Sequence, residues 1–99
     1  MPSVRTTAIF DDWLRKLRDV RARARIQARI DRLELGNPGD SKPVGGGVCE
    51  LRIDHGPGYR VYYTQRGTVL VVLLCGGSKA TQPADIARAK AIAAVLDME

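Results

Sequence analysis

Residues 49–79 read CELRIDHGPGYRVYYTQRGTVLVVLLCGGSK, and this run decides the fold. Val48, Leu51 and Ile53 mark one strand, residues 59–65 a second and residues 68–75 a third. His55-Gly56-Pro57-Gly58 and Arg66-Gly67 supply turn chemistry between them. Three consecutive antiparallel strands follow. If Asp54 pairs with Gly58 across a three-residue loop, Arg52 lies opposite Arg60 and Glu50 opposite Tyr62, all four on one face. The other face then collects Cys49, Leu51, Ile53, Tyr59, Val61 and Tyr63, which suits a core. A slip of one residue would set Arg60 against Ile53 and mix polar with apolar, so the pattern selects the first register. The third strand is apolar on both faces from Val69 to Leu74 and is expected to be central, with something packed on each side. Gly76-Gly77 reads as its end.

Two arginines set directly opposite each other repel, at up to ~1 kcal/mol. Glu50 and Asp54 can soften this, which leaves two readings. The face is either solvated and knitted by its carboxylates, or built to grip phosphate.

Working outward, residues 3–9 predict a short first strand. Asp11 or Asp12 is the expected cap of a helix whose apolar face is Phe10, Trp13, Leu14 and Leu17. Asp19 caps a second helix over residues 20–35, and the short link implies an antiparallel helical hairpin. Its buried stripe is Ala22, Ile26, Ile30 and Leu33. Arg21, Arg25, Arg29 and Arg32 form a basic ridge on the outward side. Gly36 suits the left-handed stop and Pro38 forbids resumption. Residues 41–47, with Lys42-Pro43 and three glycines, read as a loop. Residues 81–98 predict a final helix with the stripe Ile86, Ala89, Ala93 and Leu96, and with Pro83 harmless in its first turn. The expected order is β-α-α-β-β-β-α, a single small α+β domain over residues 1–99.

The chain has 99 residues, a formal charge of +5 and 44% apolar residues. That balance favours polyanionic partners, and arginine, which carries most of it, forks onto phosphate as lysine cannot. The longest apolar run, residues 69–75, is far below the ~20 residues a bilayer requires. The N-terminus shows no signal-peptide core. Cys49 and Cys75 fall inside strand patterns and are expected to be reduced, buried small hydrophobes in a cytoplasmic protein. Two cysteines and one histidine are too few for a zinc site, and no cofactor is expected.

Several segments together resemble the RelE/ParE superfamily of bacterial toxins, and within it the HigB-like branch of phage-derived or addiction-module killer proteins. They are Phe10 with Trp13-Leu14 and Leu17, Arg29-Ile30-Asp31-Arg32-Leu33 before Gly36-Asn37, Glu50-Leu51-Arg52-Ile53, Gly56-Pro57-Gly58-Tyr59-Arg60-Val61-Tyr62, Leu73-Leu74-Cys75-Gly76-Gly77 with Lys79 and Gln82, and Asp85-Ile86-Ala87 with Ala89. The likeness covers nearly the whole chain. It implies a sheet with two helices across one side and an antitoxin from the same operon, typically a helix-turn-helix protein, through which alone operator DNA would be met. It also implies metal-free cleavage of mRNA on the ribosome, a toxin activity that blocks translation.

Cleavage of this kind drives the 2′-OH onto the adjacent phosphate. It needs a proton acceptor, cations for the dianionic phosphorane and a donor for the leaving 5′-oxygen. The resemblance puts Arg60 first among the cations, then Arg52 and Lys79, the last also a possible proton donor. Glu50 and His55 are the candidate bases. RNA contacts fall to the ridge of Arg21, Arg25, Arg29 and Arg32, and to Lys42, His55, Tyr62 and Gln82, with Tyr62 able to stack on a base. The ridge equally suits an acidic antitoxin segment or plain solvation. The resemblance implies a tyrosine or histidine near the start of the final helix or at the C-terminus; residues 81–85 and 97–99 carry neither, which keeps open a non-nucleolytic gyrase inhibitor on the same fold. An inactive basic binding module stays open as well.

Overall fold

The computed structural model describes residues 2–98. In chain order the elements are β1 (Ser3–Thr6), α1 (Ala8–Lys16), α2 (Val20–Glu34), β2 (Ser41–Gly45), β3 (Val48–Ile53), β4 (Tyr59–Arg66) and β5 (Leu70–Ser78). A 3-10 turn (Lys79–Thr81) and α3 (Gln82–Asp97) complete it. The strands form one sheet in the order β1-β5-β4-β3-β2, with β1 alone running parallel to its neighbour. This is the RelE-like α+β arrangement. The decisive register is the one the alternation required: Arg52 pairs with Arg60 and Glu50 with Tyr62.

One strand departs from expectation. Residues 41–45 are not loop but β2, antiparallel to β3, with Lys42 opposite Glu50 and Pro43 opposite Cys49. Proline donates nothing to a ladder and glycine weakens a strand, so this sequence hides its strand character and tolerates it only at a sheet edge. The pairing shifts between Pro43 and Gly45.

The start of α1 is also corrected. Thr7, not an aspartate, is the cap: its Oγ accepts from the Phe10 amide at 3.0 Å and donates to the Leu74 carbonyl at 2.7 Å. One hydroxyl therefore both closes the first helical turn and ties it to β5. Asp19 caps α2 as expected, accepting from the Ala22 amide.

Both faces of the sheet are covered. The hairpin of α1 and α2 lays Phe10, Ile26, Ile30 and Leu33 over Leu51, Ile53, Val61 and Tyr63. On the opposite face, Ala89 and Ala93 of α3 pack on Val48, Tyr62, Leu74 and Cys75. A bulge serves this division. Tyr62 pairs with Cys75 but Tyr63 with Leu73, so Leu74 is extra and turns with Cys75 toward α3. Cys75 is buried and its thiol is pushed up to about 11 by that burial, while Cys49 is only half-buried.

Gly76 and Gly77 do not end β5, which runs on to Ser78. They make it flat. A Cβ at Gly76 would lie 2.3 Å from the Trp13 ring, and one at Gly77 would lie 1.8 Å from the Asp85 carboxylate. The pair lets α1 approach from one side and the first turn of α3 from the other. Among the described residues no helix is long and apolar enough to cross a membrane.

Candidate functional site

Arg52 of β3, Arg60 of β4 and Lys79 of the 3-10 turn line one open depression of ≈ 400 Å³, together with Asp40, Ile53, Asp54 and Gly58. The sheet does the placing. Arg52 and Arg60 are cross-strand partners, and Gly77, opposite Arg60 on β5, feeds the turn that carries Lys79. Gly58 keeps the floor clear: its φ is +76°, and a Cβ there would press at 3.3 Å on both Arg60 Nη1 and Lys79 Cβ.

The two arginines are held differently. Arg52 reaches a single oxygen of Asp40 through Nη2 at 3.2 Å and Nε at 3.3 Å. Its side chain is 40% exposed, so this is an exchangeable surface pair. Arg60 is sunk to 11% exposure. Its Nη1 donates to the Gly58 carbonyl at 3.1 Å, and its Nε lies 3.5 Å from Glu50 Oε1, close enough to pair but not aligned as a hydrogen bond.

Glu50 and Tyr62 share this face, yet neither is open to a ligand. Both are fully buried, because α3 covers their half of the face. Glu50 as a base and Tyr62 as a stacking platform are therefore corrected. Glu50 Oε2 accepts from the Gln82 amide at 2.6 Å and from the Tyr62 hydroxyl at 3.4 Å. Gln82 is thus also engaged inward. Burial, and then the charge of Glu50, raise the Tyr62 phenol well above its ordinary value, and burial raises Tyr63. A phenol whose folded value exceeds its unfolded value stabilises fully below about pH 10 and loses that contribution as pH rises. In a Tyr59→Phe background, which leaves only Tyr62 and Tyr63 to report, tyrosinate absorbance should accordingly climb in one cooperative step with the loss of circular dichroism, and adding Tyr62→Phe should move that step to higher pH. A gradual rise in the folded protein would contradict it.

The remaining candidates divide. Arg21, Arg25 and Arg32 are exposed on α2, and Lys42 is exposed on β2. Arg29 leaves the ridge. Its Nη1 donates to the Arg52 carbonyl at 2.5 Å and its Nη2 to the carbonyls of Pro38 and Asp40 at 3.0 and 3.1 Å. Burial and the nearby charge of Arg32 lower its pKa. It is a clamp that fixes the β3 backbone and the loop carrying Asp40. Helical spacing alone cannot show this, since one flank of the ridge faces the sheet. Arg25 and Arg29 line a second depression of ≈ 280 Å³ that shares Ile53 and Asp54 with the first, so basic groups run on from the site toward α2. His55 is not a free turn residue: Nε2 lies 3.1 Å from Asp19 Oδ2, joining the β3–β4 turn to the cap of α2. The Ala22 amide and then His55 hold the Asp19 carboxyl below the usual range.

Sequence reasoning passed over Asp40. It lies in the loop just before β2, and with β2 unseen its neighbourhood was hidden: the Arg52 amide donates to the Asp40 carbonyl at 3.0 Å, and the Asp40 carboxylate stands beside the Arg52 guanidinium.

A protein of Haemophilus influenzae (strain ATCC 51907 / DSM 11121 / KW20 / Rd), described as "Uncharacterized protein", is 55% identical over 95 residues, 96% of each chain. The family model "Phage derived protein Gp49-like (DUF891)" matches residues 12–96, from within α1 almost to the end of α3. On that span of sequence, the chain belongs to the Gp49-like family of phage-derived proteins.

Proposed function

We propose that this protein is the toxin of a type II toxin–antitoxin system and acts as a ribosome-dependent mRNA endonuclease of the HigB-like kind. The observation that carries this reading is the pairing of Arg52 and Arg60 across adjacent strands, with Lys79 at the same open depression. In the reaction the 2′-oxygen bonds to phosphorus and the bond to the 5′-oxygen breaks, leaving a cyclic phosphate and a free 5′-hydroxyl. Arg60 and Arg52 neutralise the phosphorane. Lys79 gives its proton to the departing 5′-oxygen. As the phosphate takes Arg52, Asp40 is released, and of the two exposed carboxylates at the depression, Asp40 and Asp54, it is the one paired to Arg52 and so freed to accept the 2′-hydroxyl proton. Arg21, Arg25, Arg32 and Lys42 follow ribosomal RNA phosphates, with affinity that falls steeply as salt rises. The same arginines suit an acidic segment of a helix-turn-helix antitoxin, which would carry any contact with operator DNA. Gp49-like membership fits this toxin context.

Primer extension on translated mRNA after induction tests the proposal. New 5′ ends should appear within the reading frame. Intact message with an induced DNA-damage response would overturn it in favour of gyrase inhibition. Harmless overexpression without any partner would leave only a basic binding module.

A further inference from the structure

Among the described residues Glu50 is the one fully buried charged side chain, in a chain otherwise rich in exposed charge. Removing a carboxylate from water is costly unless it is paired and hydrogen-bonded. Oε2 is well served by Gln82 and Tyr62. Oε1 and Arg60 Nε are both shut off from solvent, both lack an aligned hydrogen bond, and face each other at 3.5 Å. The network also links separate elements: Glu50 is on β3, Tyr62 and Arg60 are on β4, and Gln82 is the first residue of α3.

We infer that Glu50, oriented by Tyr62 and Gln82, is the positioning residue for Arg60. It draws the Nε edge of the guanidinium inward, while the Gly58 carbonyl takes one Nη1 hydrogen. No partner for Nη2 is seen among the described residues, and Arg60 lines the depression, so this is the edge assigned to a ligand. Through Gln82, the seating of α3 thereby becomes part of the placement of the Arg60 guanidinium. This rests on Arg60 gripping the scissile phosphate, as proposed above.

The test compares purified variants on mRNA-programmed ribosomes and follows the Arg60 Nε–H resonance by NMR. Glu50→Gln keeps the shape and removes the charge. Its kcat should fall about 10–100-fold, with KM within about twofold, as expected when orientation rather than binding is lost. The Arg60 resonance should move and broaden. Glu50→Asp should recover part of the rate, and Tyr62→Phe and Gln82→Ala should lower kcat and move the resonance in the same direction by less. A folded Glu50→Gln with kcat within about threefold of wild type and an unmoved resonance would overturn the inference. If Glu50→Gln does not fold, Tyr62→Phe and Gln82→Ala decide by the same two readings. Wild-type protein that cuts no message, while the Arg60 resonance still answers to Gln82→Ala, would overturn the nuclease reading and leave the hold of Glu50 on Arg60 standing.

Discussion

Arg60→Lys is expected to slow message cleavage at least about 100-fold, although the charge is unchanged. Lysine offers a point charge; it cannot offer one edge to Glu50 and another to a phosphate at once. The proposed reaction asks both of Arg60, whose Nε faces the carboxylate and whose Nη1 gives one hydrogen to Gly58. Arg60→Ala is a poorer probe for a reason the burial of Glu50 supplies. It leaves that carboxylate shut from water without its cation, at a cost of about 3 kcal/mol, the lower end of the usual range because Gln82 and Tyr62 still hold Oε2. Against a total stability of about 5–15 kcal/mol, a loss of toxicity could then reflect unfolding rather than lost chemistry. Denaturant unfolding run beside single-turnover cleavage separates the two. Cleavage by Arg60→Lys within about tenfold of wild type would remove Arg60 from the reaction.

Gly76→Ala is expected to be strongly destabilising, at about 3 kcal/mol or more. The added methyl would meet the Trp13 ring at 2.3–2.5 Å. That ring cannot swing aside freely, because it packs at 5.8 Å from the Phe10 ring and edge-on at 6.3 Å to Tyr59. For a domain of this size the melting temperature should drop by about 12 °C or more. Pairing it with Trp13→Ala should show strong non-additivity, since the smaller side chain removes the clash. Gly77→Ala should cost less. Its obstacles are the ends of two side chains, Asp85 and Thr81 Oγ1 at 2.9 Å, which can rotate away by giving up the bond between them. A Gly76→Ala loss below about 1 kcal/mol would mean that α1 can slide on β5.

Much of this was legible in the chain because alternation is unforgiving. One slipped residue would have turned Arg60 into the apolar layer with Ile53, so the partnership of positions 52 and 60 could be read from residues 49–63 alone. The two-sided apolar character of residues 69–74 likewise announced a covered strand. What alternation cannot say is how far a cover extends. Glu50 and Tyr62 share the arginine face, yet lie beneath α3 while Arg52 lies beyond it. A signal was present: the stripe of Ile86, Ala89 and Ala93 needed a surface, the hairpin had already taken one, and Tyr62 stands opposite Cys75. β2 was hidden by its proline and glycines, and with it the neighbourhood of Asp40 and Arg52. The roles of Arg29 and His55 depend on contacts made over 23 and 36 residues, which no local spacing encodes.

The outer margins of the sheet have one more consequence. On one side stands Lys42-Pro43 with a shifted pairing; on the other, a strand of four residues. Neither offers an incoming chain a long, regular row of free amides and carbonyls. A protein made in excess, as a burst of expression would make it, is thereby discouraged from stacking into cross-β fibrils.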